Sequence, residues 1–265
     1  MTRRRLDAEL VRRRLAADEA SAAVAVRAGR VLVGGMPAGS PATLVDEAAA
    51  LSLRSVTPRY ISRGGEKLRA ALDRFAIDVT GATCLDAGSS SGGFTDCLLQ
   101  AGAAAVTAVD VGYGQLAWSL REDPRVTVRE RTNVRDLRPE EMITPPGVVV
   151  ADLSFVSLRS ALPALHAVAT SDARYVLLVK PQFEAAPSSV GPGGVVRDAT
   201  VRATTIRTVM SAAAALGIGA LGVMPSPLQG PAGNVEFLLY GRGGAAVRCG
   251  EDDVAAAVEE GEGTS

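Results

Sequence analysis

Four charged residues stand where a folded chain could bring them together. Lys180 follows the apolar run Tyr175–Val179 and precedes Pro181, and Asp152 follows Val148–Ala151. Glu236 lies in GNVEFLLY at the start of another apolar stretch, and Lys67 lies in SRGGEKL. Residues at the carboxyl ends of parallel strands share one edge of a sheet, so two lysines and two acids could meet in one cleft. The chemistry they offer is proton handling. A lysine amine takes or attracts the proton of a weak acid, such as a sugar hydroxyl, only when its own pKa is lowered. A second lysine nearby pushes in that direction, while carboxylates orient the amines and oppose the shift. The competing reading is a set of unrelated surface ion pairs, each worth little.

A second cluster lies between residues 79 and 120. The apolar Cys84-Leu85 ends at Asp86, followed by Gly88, Ser89, Ser90, Ser91, Gly92, Gly93 and Phe94. An apolar run and a second strand, Ala105–Val109, lead to Asp110. A loop nearly free of side chains lets a ligand approach the backbone. An acid about 20 residues further on can accept hydrogen bonds from a ribose. The glycine spacing is not the GxGxxG of dinucleotide loops, and no GxxxxGK[ST] loop is present. Asp86 ahead of the loop would repel a phosphate and suits a cationic, amino-acid-like ligand such as S-adenosyl-L-methionine. A plain βαβ turn without ligand is the alternative.

These residues need a scaffold. Past residue 60 the chain alternates apolar runs with helical patterns: strands to Leu85, Asp110, near Thr127, Val148–Ala151, Tyr175–Val179, Leu221–Val223 and Val235–Tyr240. The helices between them start at Phe94, around Gln115, at Leu158 and at Ala199, with Glu66–Phe75 ahead of the first strand. That alternation predicts an α/β, Rossmann-like, doubly wound domain over 61–265, preceded by a linker over Arg54–Leu68. Residues 1–60 predict a small α+β domain of two helices and a hairpin. Arg5–Leu15 carries its leucines on one face, Asp18 can cap Glu19–Arg27, Arg30–Val33 is a strand, Gly34-Gly35 a turn, and Pro41–Leu53 a returning strand. The acidic tail predicts a short last helix.

The 265 residues are 47% hydrophobic, enough for a full core. Residues 1–74 hold 14 Lys+Arg against 8 Asp+Glu, although the whole chain is at net −1. A basic first segment on an acidic body points to a polyanionic partner. The three cysteines show no paired spacing, and MTRRRLDAEL lacks an apolar leader core, which predicts a cytoplasmic protein. One histidine, His166 on an apolar helical pattern, makes a zinc site or a His-based triad a poor reading.

Taken together, RRRLDAELVRRRLA, SRGGEKL, CLDAGSSSGGFTD, DVGYGQLAWSLR, ERTNVR, ADLSFVSL, LVKPQFE, VGPGGVVRD and GNVEFLL resemble the TlyA (hemolysin A-like) family of ribosomal RNA ribose 2′-O-methyltransferases. The resemblance covers nearly the whole chain. It implies an N-terminal RNA-binding domain of a kind shared with a small-subunit ribosomal protein, and a methyltransferase domain using S-adenosyl-L-methionine. It implies a Lys-Asp-Lys-Glu tetrad at Lys67, Asp152, Lys180 and Glu236, a cofactor loop over Asp86–Phe94, a ribose acid at Asp110 and an adenine-side Asn133. It further implies cytidine ribose in large-subunit, and with this longer N-terminus also small-subunit, RNA as substrate. In such bacteria the modification is tied to sensitivity to capreomycin-type antibiotics. The chain departs from the family pattern in having Arg14 where a glycine is common, Asp18-Glu19 at the second helix, and SRGG for SRGA.

On this reading Arg3, Arg4, Arg5, Arg30 and Arg63 contact RNA, the target nucleotide leaves its helix to reach the cleft, and Lys180 acts on its 2′-OH. Other readings are a non-catalytic RNA-binding or ribosome-assembly factor on a methyltransferase fold, a small-molecule methyltransferase or NAD enzyme, and a secreted hemolysin. The basic first segment and loop spacing count against the third, and the missing leader and membrane span against the fourth.

Overall fold

The computed structural model describes residues 3–54 and 58–263. The chain divides into two compact units, Met1–Pro58 and Arg59–Ser265.

In the first unit the elements are β1 (Arg3–Arg5), α1 (Leu6–Arg12), α2 (Glu19–Arg27), β2 (Val31–Val33), β3 (Met36–Pro37), β4 (Leu44–Asp46) and β5 (Leu51–Leu53). Leu6, Leu10, Ala22, Val26, Val31 and Val45 form its core. Asp18 caps α2, accepting from the Ser21 backbone at 2.7 Å while the Ser21 hydroxyl oxygen accepts from the Asp18 backbone.

The predicted first helix is shorter than its apolar pattern. Arg3–Arg5 is a strand paired antiparallel with β4, and the helix stops at Arg12 because Arg14 takes a left-handed φ of +59°. Leu15 N–H then bonds Leu10 C=O and Arg14 N–H bonds Val11 C=O, closing the last turn. The returning strand also differs. Gly34 and Gly35, both at positive φ, make a two-residue turn, so the partner of β2 begins at once with β3. The longer 41–53 stretch splits into β4, paired with β1, and β5, on the other edge of β2.

The second unit contains α3 (Arg63–Arg74), β6 (Thr83–Ala87), α4 (Gly93–Gln100), β7 (Ala105–Val109), α5 (Trp118–Arg121), β8 (Val126–Arg129), β9 (Val148–Ala151), α6 (Leu158–Val168), β10 (Arg174–Val179), α7 (Pro181–Glu184), α8 (Ala199–Ala215), β11 (Ile218–Pro225), β12 (Phe237–Gly243) and α9 (Glu251–Gly263). Its seven-stranded sheet has the order β11-β12-β10-β9-β6-β7-β8. β12 runs antiparallel to both neighbours, and the remaining pairs are parallel. The central strands are buried on both faces, which explains their unbroken apolar sequence. Val149, Tyr175 and Leu177 pack with α6, α8 and α9, whereas Val148, Val150, Val176 and Leu178 pack with α3 and α4. The winding reverses between β6 and β9, so the crevice for a ligand opens at their carboxyl ends.

Three local expectations change. The segment predicted as linker already belongs to the second unit's core from Tyr60, which is 4% exposed. The helix carrying Lys67 starts at Arg63, three residues early, with Ser62 as its cap. The helix predicted around Gln115 is a single turn, Trp118–Arg121. No helix among the described residues is long and apolar enough to cross a membrane.

Candidate active site

The Gly/Ser bend after β6 rests on the end of the next strand. The amides of Gly88 and Ser89 donate to Val109 C=O, and Asp110 accepts from the amides of Ser90 at 2.8 Å and Gly112 at 2.7 Å. Gly88, at φ +84°, has no room for a side chain, since a Cβ there would lie 2.5 Å from the Asp152 carbonyl oxygen. Gly92 closes the bend as the left-handed cap of α4, against Leu116 and Leu120. Gly93 lets α4 approach the start of α3, and Gly65 lets the Tyr60 ring pack on α3. A Cβ on Gly93 would meet the Ser62 hydroxyl at 2.1 Å, and one on Gly65 would meet the Tyr60 ring at 2.3 Å. That approach brings Lys67 of α3 to the sheet edge.

Two adjoining clefts open above the bend. The larger, about 540 Å³, is lined by Gly88, Ser90, Asp110, Gln115, Asn133 and Asp152, among others. The narrower, about 320 Å³, is lined by Ser89, Gly93, Phe94, Lys67, Lys180 and Glu236, with Arg63 at its edge. Gly88, Ser90, Asp152 and Ser154 line both. Asn133 caps the short 3-10 turn Val134–Asp136, accepting from the Arg135 backbone at 3.1 Å.

The four charged residues form two pairs. Lys180 Nζ lies 2.6 Å from Asp152 Oδ1 and donates to Ser154 Oγ at 2.9 Å. Lys67 Nζ lies 2.5 Å from Glu236 Oε2. Both lysines are 8% exposed and Glu236 is 1% exposed, so these are not surface ion pairs. The antiparallel course of β12 puts Glu236, just ahead of it, beside the carboxyl end of β10.

Asp86 has a different place from the one its sequence position implies. It lines neither cleft and is fully buried beneath the bend, where it accepts from Thr95 Oγ1 at 2.6 Å. Its Oδ1 finds no hydrogen-bond partner. Burial pushes its pKa up to about 7, with Asp152 and Asp110 adding to the rise and Thr95 opposing it. Gly92 is likewise structural, turning the chain rather than lining a cleft.

The basic first unit is partly neutralised from within. Arg5 pairs with Asp7 at 2.6 Å, and Arg12 and Arg13 both bind the buried Glu9 at 2.7 Å. Hydrogen bonds from Arg12 and then Arg13 hold the Glu9 carboxyl down at about 2. Arg3, Arg4 and Arg30 are exposed, as is Arg63 in the second unit.

Several site residues had gone unnoticed. Ser154 and Gln182 each stand two positions beyond a tetrad member, Asp152 and Lys180, where the chain leaves the sheet edge. Gln182 Nε2 donates to Glu236 Oε1 at 3.4 Å. Phe155, at φ +64° and 92% exposed, meets Phe183 with ring centroids 5.2 Å apart. Glu184 accepts from the Leu158 backbone at 2.6 Å and from Ser157 Oγ at 2.5 Å, fixing the loop that carries Phe155. The spacing of two from an anchored residue at a strand end was the available signal for Ser154 and Gln182. Phe155 offered none, because its left-handed backbone cannot be read from its residue type.

Comparison with known proteins agrees with this geometry. The profile of FtsJ-like methyltransferases matches residues 60–243. The 16S/23S rRNA (cytidine-2′-O)-methyltransferase TlyA of Mycobacterium tuberculosis is 54% identical over 239 residues, 90% of this chain and 89% of that protein. Hemolysin A of Brachyspira hyodysenteriae is 37% identical over 81% of this chain and 90% of its own. Among solved structures, a hemolysin-named protein of Streptococcus thermophilus superposes with a TM-score of 0.78 at 35% identity, covering 100% of this chain and 97% of that one. A similarly named protein of Lactococcus lactis gives 0.73 at 41% identity, over 77% of this chain and 99% of that one. With a methyltransferase profile across the second unit and relatives matched over nearly their full length, the chain belongs to the TlyA (hemolysin A-like) family of FtsJ-like methyltransferases.

Proposed function

We propose that this protein transfers a methyl group from S-adenosyl-L-methionine to the ribose 2′-oxygen of cytidine in ribosomal RNA, in the large subunit and also the small. One observation carries the reading. The buried Lys180–Asp152 and Lys67–Glu236 pairs line a cleft continuous with the Gly/Ser bend. The names of the relatives supply the substrate class.

The residues present fit the cofactor. A cleft of about 540 Å³ is within the range of small-molecule sites. Gly88 and Ser90 bring nearly bare backbone to its wall, while the buried Asp86 supports the bend from beneath and lines neither cleft. Asp110 and Gln115 would take the ribose, and Asn133 the adenine side. Ser89, Ser90, Gly93 and Phe94 would form the wall toward the catalytic cleft, with Gly88 and Gly92 allowing the backbone to turn. S-adenosyl-L-methionine, when bound, supplies an electrophilic methyl on a sulfonium.

The chain's own groups do the rest. Asp152 and Ser154 fix the Lys180 amine beside the cleft, where only its uncharged form would take the 2′-hydroxyl proton as the oxygen attacks the methyl. Glu236 and Lys67 complete a polar wall opposite. Fixing these groups before substrate arrives is where the rate gain arises, since orientation contributes several kcal/mol. Phe155 and Phe183 offer an extruded base an aromatic face. A first unit of 1–58 would dock on RNA. Arg3, Arg4 and Arg30 would contact phosphates, Arg5 less so because Asp7 already holds it, and Arg63 would act at the cleft edge.

The test is to map 2′-O-methyl groups on both ribosomal subunits, lacking the modification beforehand, after incubation with the full chain or with residues 59–265. The full chain should modify cytidine riboses and the shortened chain should bind cofactor yet modify poorly. Methyl groups on bases, or none, would refute the reading.

A further inference from the structure

Lys180 lines the narrow cleft beside the bend and keeps 10% of its side-chain surface accessible. Among the described residues its amine has two polar partners, Asp152 Oδ1 at 2.6 Å and Ser154 Oγ at 2.9 Å, and both residues line the same cleft. The Phe183 ring, its centroid 5.8 Å from the amine, lies beyond hydrogen-bond reach. A lysine nitrogen is tetrahedral, and the side-chain carbon takes one of its four positions. The uncharged amine fills the other three with two N–H bonds and one lone pair. A carboxylate only accepts, so Asp152 takes one N–H and repels the lone pair. Once Ser154 accepts the second N–H, a single position is left, and the lone pair occupies it.

Ser154 is held where it can do this. The connection from β9 to α6 that carries it is anchored at both ends. The Asp152 N–H donates to Ala87 C=O at 3.0 Å, and the Leu158 N–H donates to Glu184 at 2.6 Å. Between these anchors Phe155, next to Ser154, takes its left-handed φ of +64°, and backbone strain of this kind clusters at working sites. The Ser154 side chain has no other hydrogen-bond partner among the described residues, so its oxygen is committed to the amine.

We propose that Ser154 is a positioning residue, which takes the second N–H of the uncharged Lys180 amine and so turns the lone pair toward a ribose 2′-hydroxyl in the narrow cleft. This rests on the 2′-O-methylation reading and gives a role to a residue outside the four charged ones. The proton passes from the 2′-oxygen to the lone pair, the oxygen bonds to the methyl carbon, and the electrons of the broken carbon–sulfur bond stay on sulfur. A hydroxyl that donated to the amine would instead cover the lone pair and slow the reaction. The two orientations therefore predict opposite effects of removing it.

The experiment follows a single turnover of tritiated methyl transfer by the full chain to ribosomal subunits lacking the modification, with cofactor and subunits saturating. Affinities for S-adenosylhomocysteine and for the subunits are measured alongside. Ser154→Ala should slow the transfer step on the order of tenfold, about what one hydrogen bond contributes, and leave both affinities within twofold. Ser154→Thr, which keeps the hydroxyl, should recover most of the loss. In a chain already carrying Lys180→Ala, adding Ser154→Ala should change the residual rate less than twofold, because the amine it steers is gone. An unchanged or faster rate for Ser154→Ala overturns the role assigned to Ser154. So does a loss equally large in Ser154→Thr, a loss of affinity that accounts for the slower transfer, or an equal loss in the Lys180→Ala background. Failure of the natural protein to methylate any ribose would instead overturn the functional reading.

Discussion

Replacing Asp86 by Asn should make the empty protein more stable at pH 8 and hardly change it at pH 4. In the fold Asp86 is fully buried, bonded only to Thr95, and its pKa is pushed up from 3.8 to about 7, chiefly by burial. The unfolded chain loses this proton near 3.8 and the folded chain near 7. Below 3.8 both hold it, and nothing separates them. Between the two values rising pH favours the unfolded state, and above 7 the full penalty is present. A rise from 3.8 to about 7 corresponds to roughly 4 kcal/mol against the charged form. The Asn carbonyl can still accept from Thr95, so the variant should recover most of that amount at pH 8. Chemical denaturation followed by circular dichroism from pH 4 to 8.5 would measure it. The natural protein should lose stability as pH rises through this window, and Asp86→Asn should flatten that part of the slope. The same substitution should leave S-adenosyl-L-methionine binding within a few-fold, since Asp86 lines neither cleft. Parallel pH curves for the two proteins, or a variant less stable at pH 8, would refute the burial argument.

Other perturbations follow from named contacts. Arg14→Gly removes a side chain from the left-handed end of α1 and should raise the stability of the first unit by about 1 kcal/mol, seen as a higher denaturation midpoint. Lys67→Met strands the buried Glu236 carboxylate and should cost about 3–5 kcal/mol, whereas adding Glu236→Gln should restore much of it in a double-variant cycle. Gly93→Ala would place a methyl 2.1 Å from the Ser62 hydroxyl, push α3 from α4 and cost about 1–3 kcal/mol. Because α3 carries Lys67, its methyl-transfer rate should fall as well.

The sheet was legible because its strands are buried on both faces. Val148–Ala151 and Tyr175–Val179 read as strands from continuous apolar sequence alone, and a charged residue following each one marked the functional edge. The pairing was not legible. Nothing local says that Lys180 meets Asp152 while Lys67 meets Glu236, 169 residues away, because this depends on the antiparallel course of β12. Asp86 was visible as an acid before a glycine bend, but its depth was not, since burial is set by Thr95 and the helix behind it. The arginines of the first unit misled in the opposite way. Counted as charge they suggest a wholly basic face, yet Arg5, Arg12 and Arg13 are engaged by Asp7 and Glu9 on the same short helix. Periodicity also ran α1 past its end, because the stop comes from one left-handed residue, Arg14, and not from the apolar pattern.

The most direct measurement is methyl transfer by Lys180→Ala alongside its cofactor affinity. The amine removed is the one held by Asp152 and Ser154, and neither the Gly/Ser bend nor Asp110 is touched. S-adenosyl-L-methionine should bind within a few-fold of the natural protein, while 2′-O-methylation of ribosomal RNA should fall by at least about 10²-fold. Near-normal methylation by that variant would contradict the account.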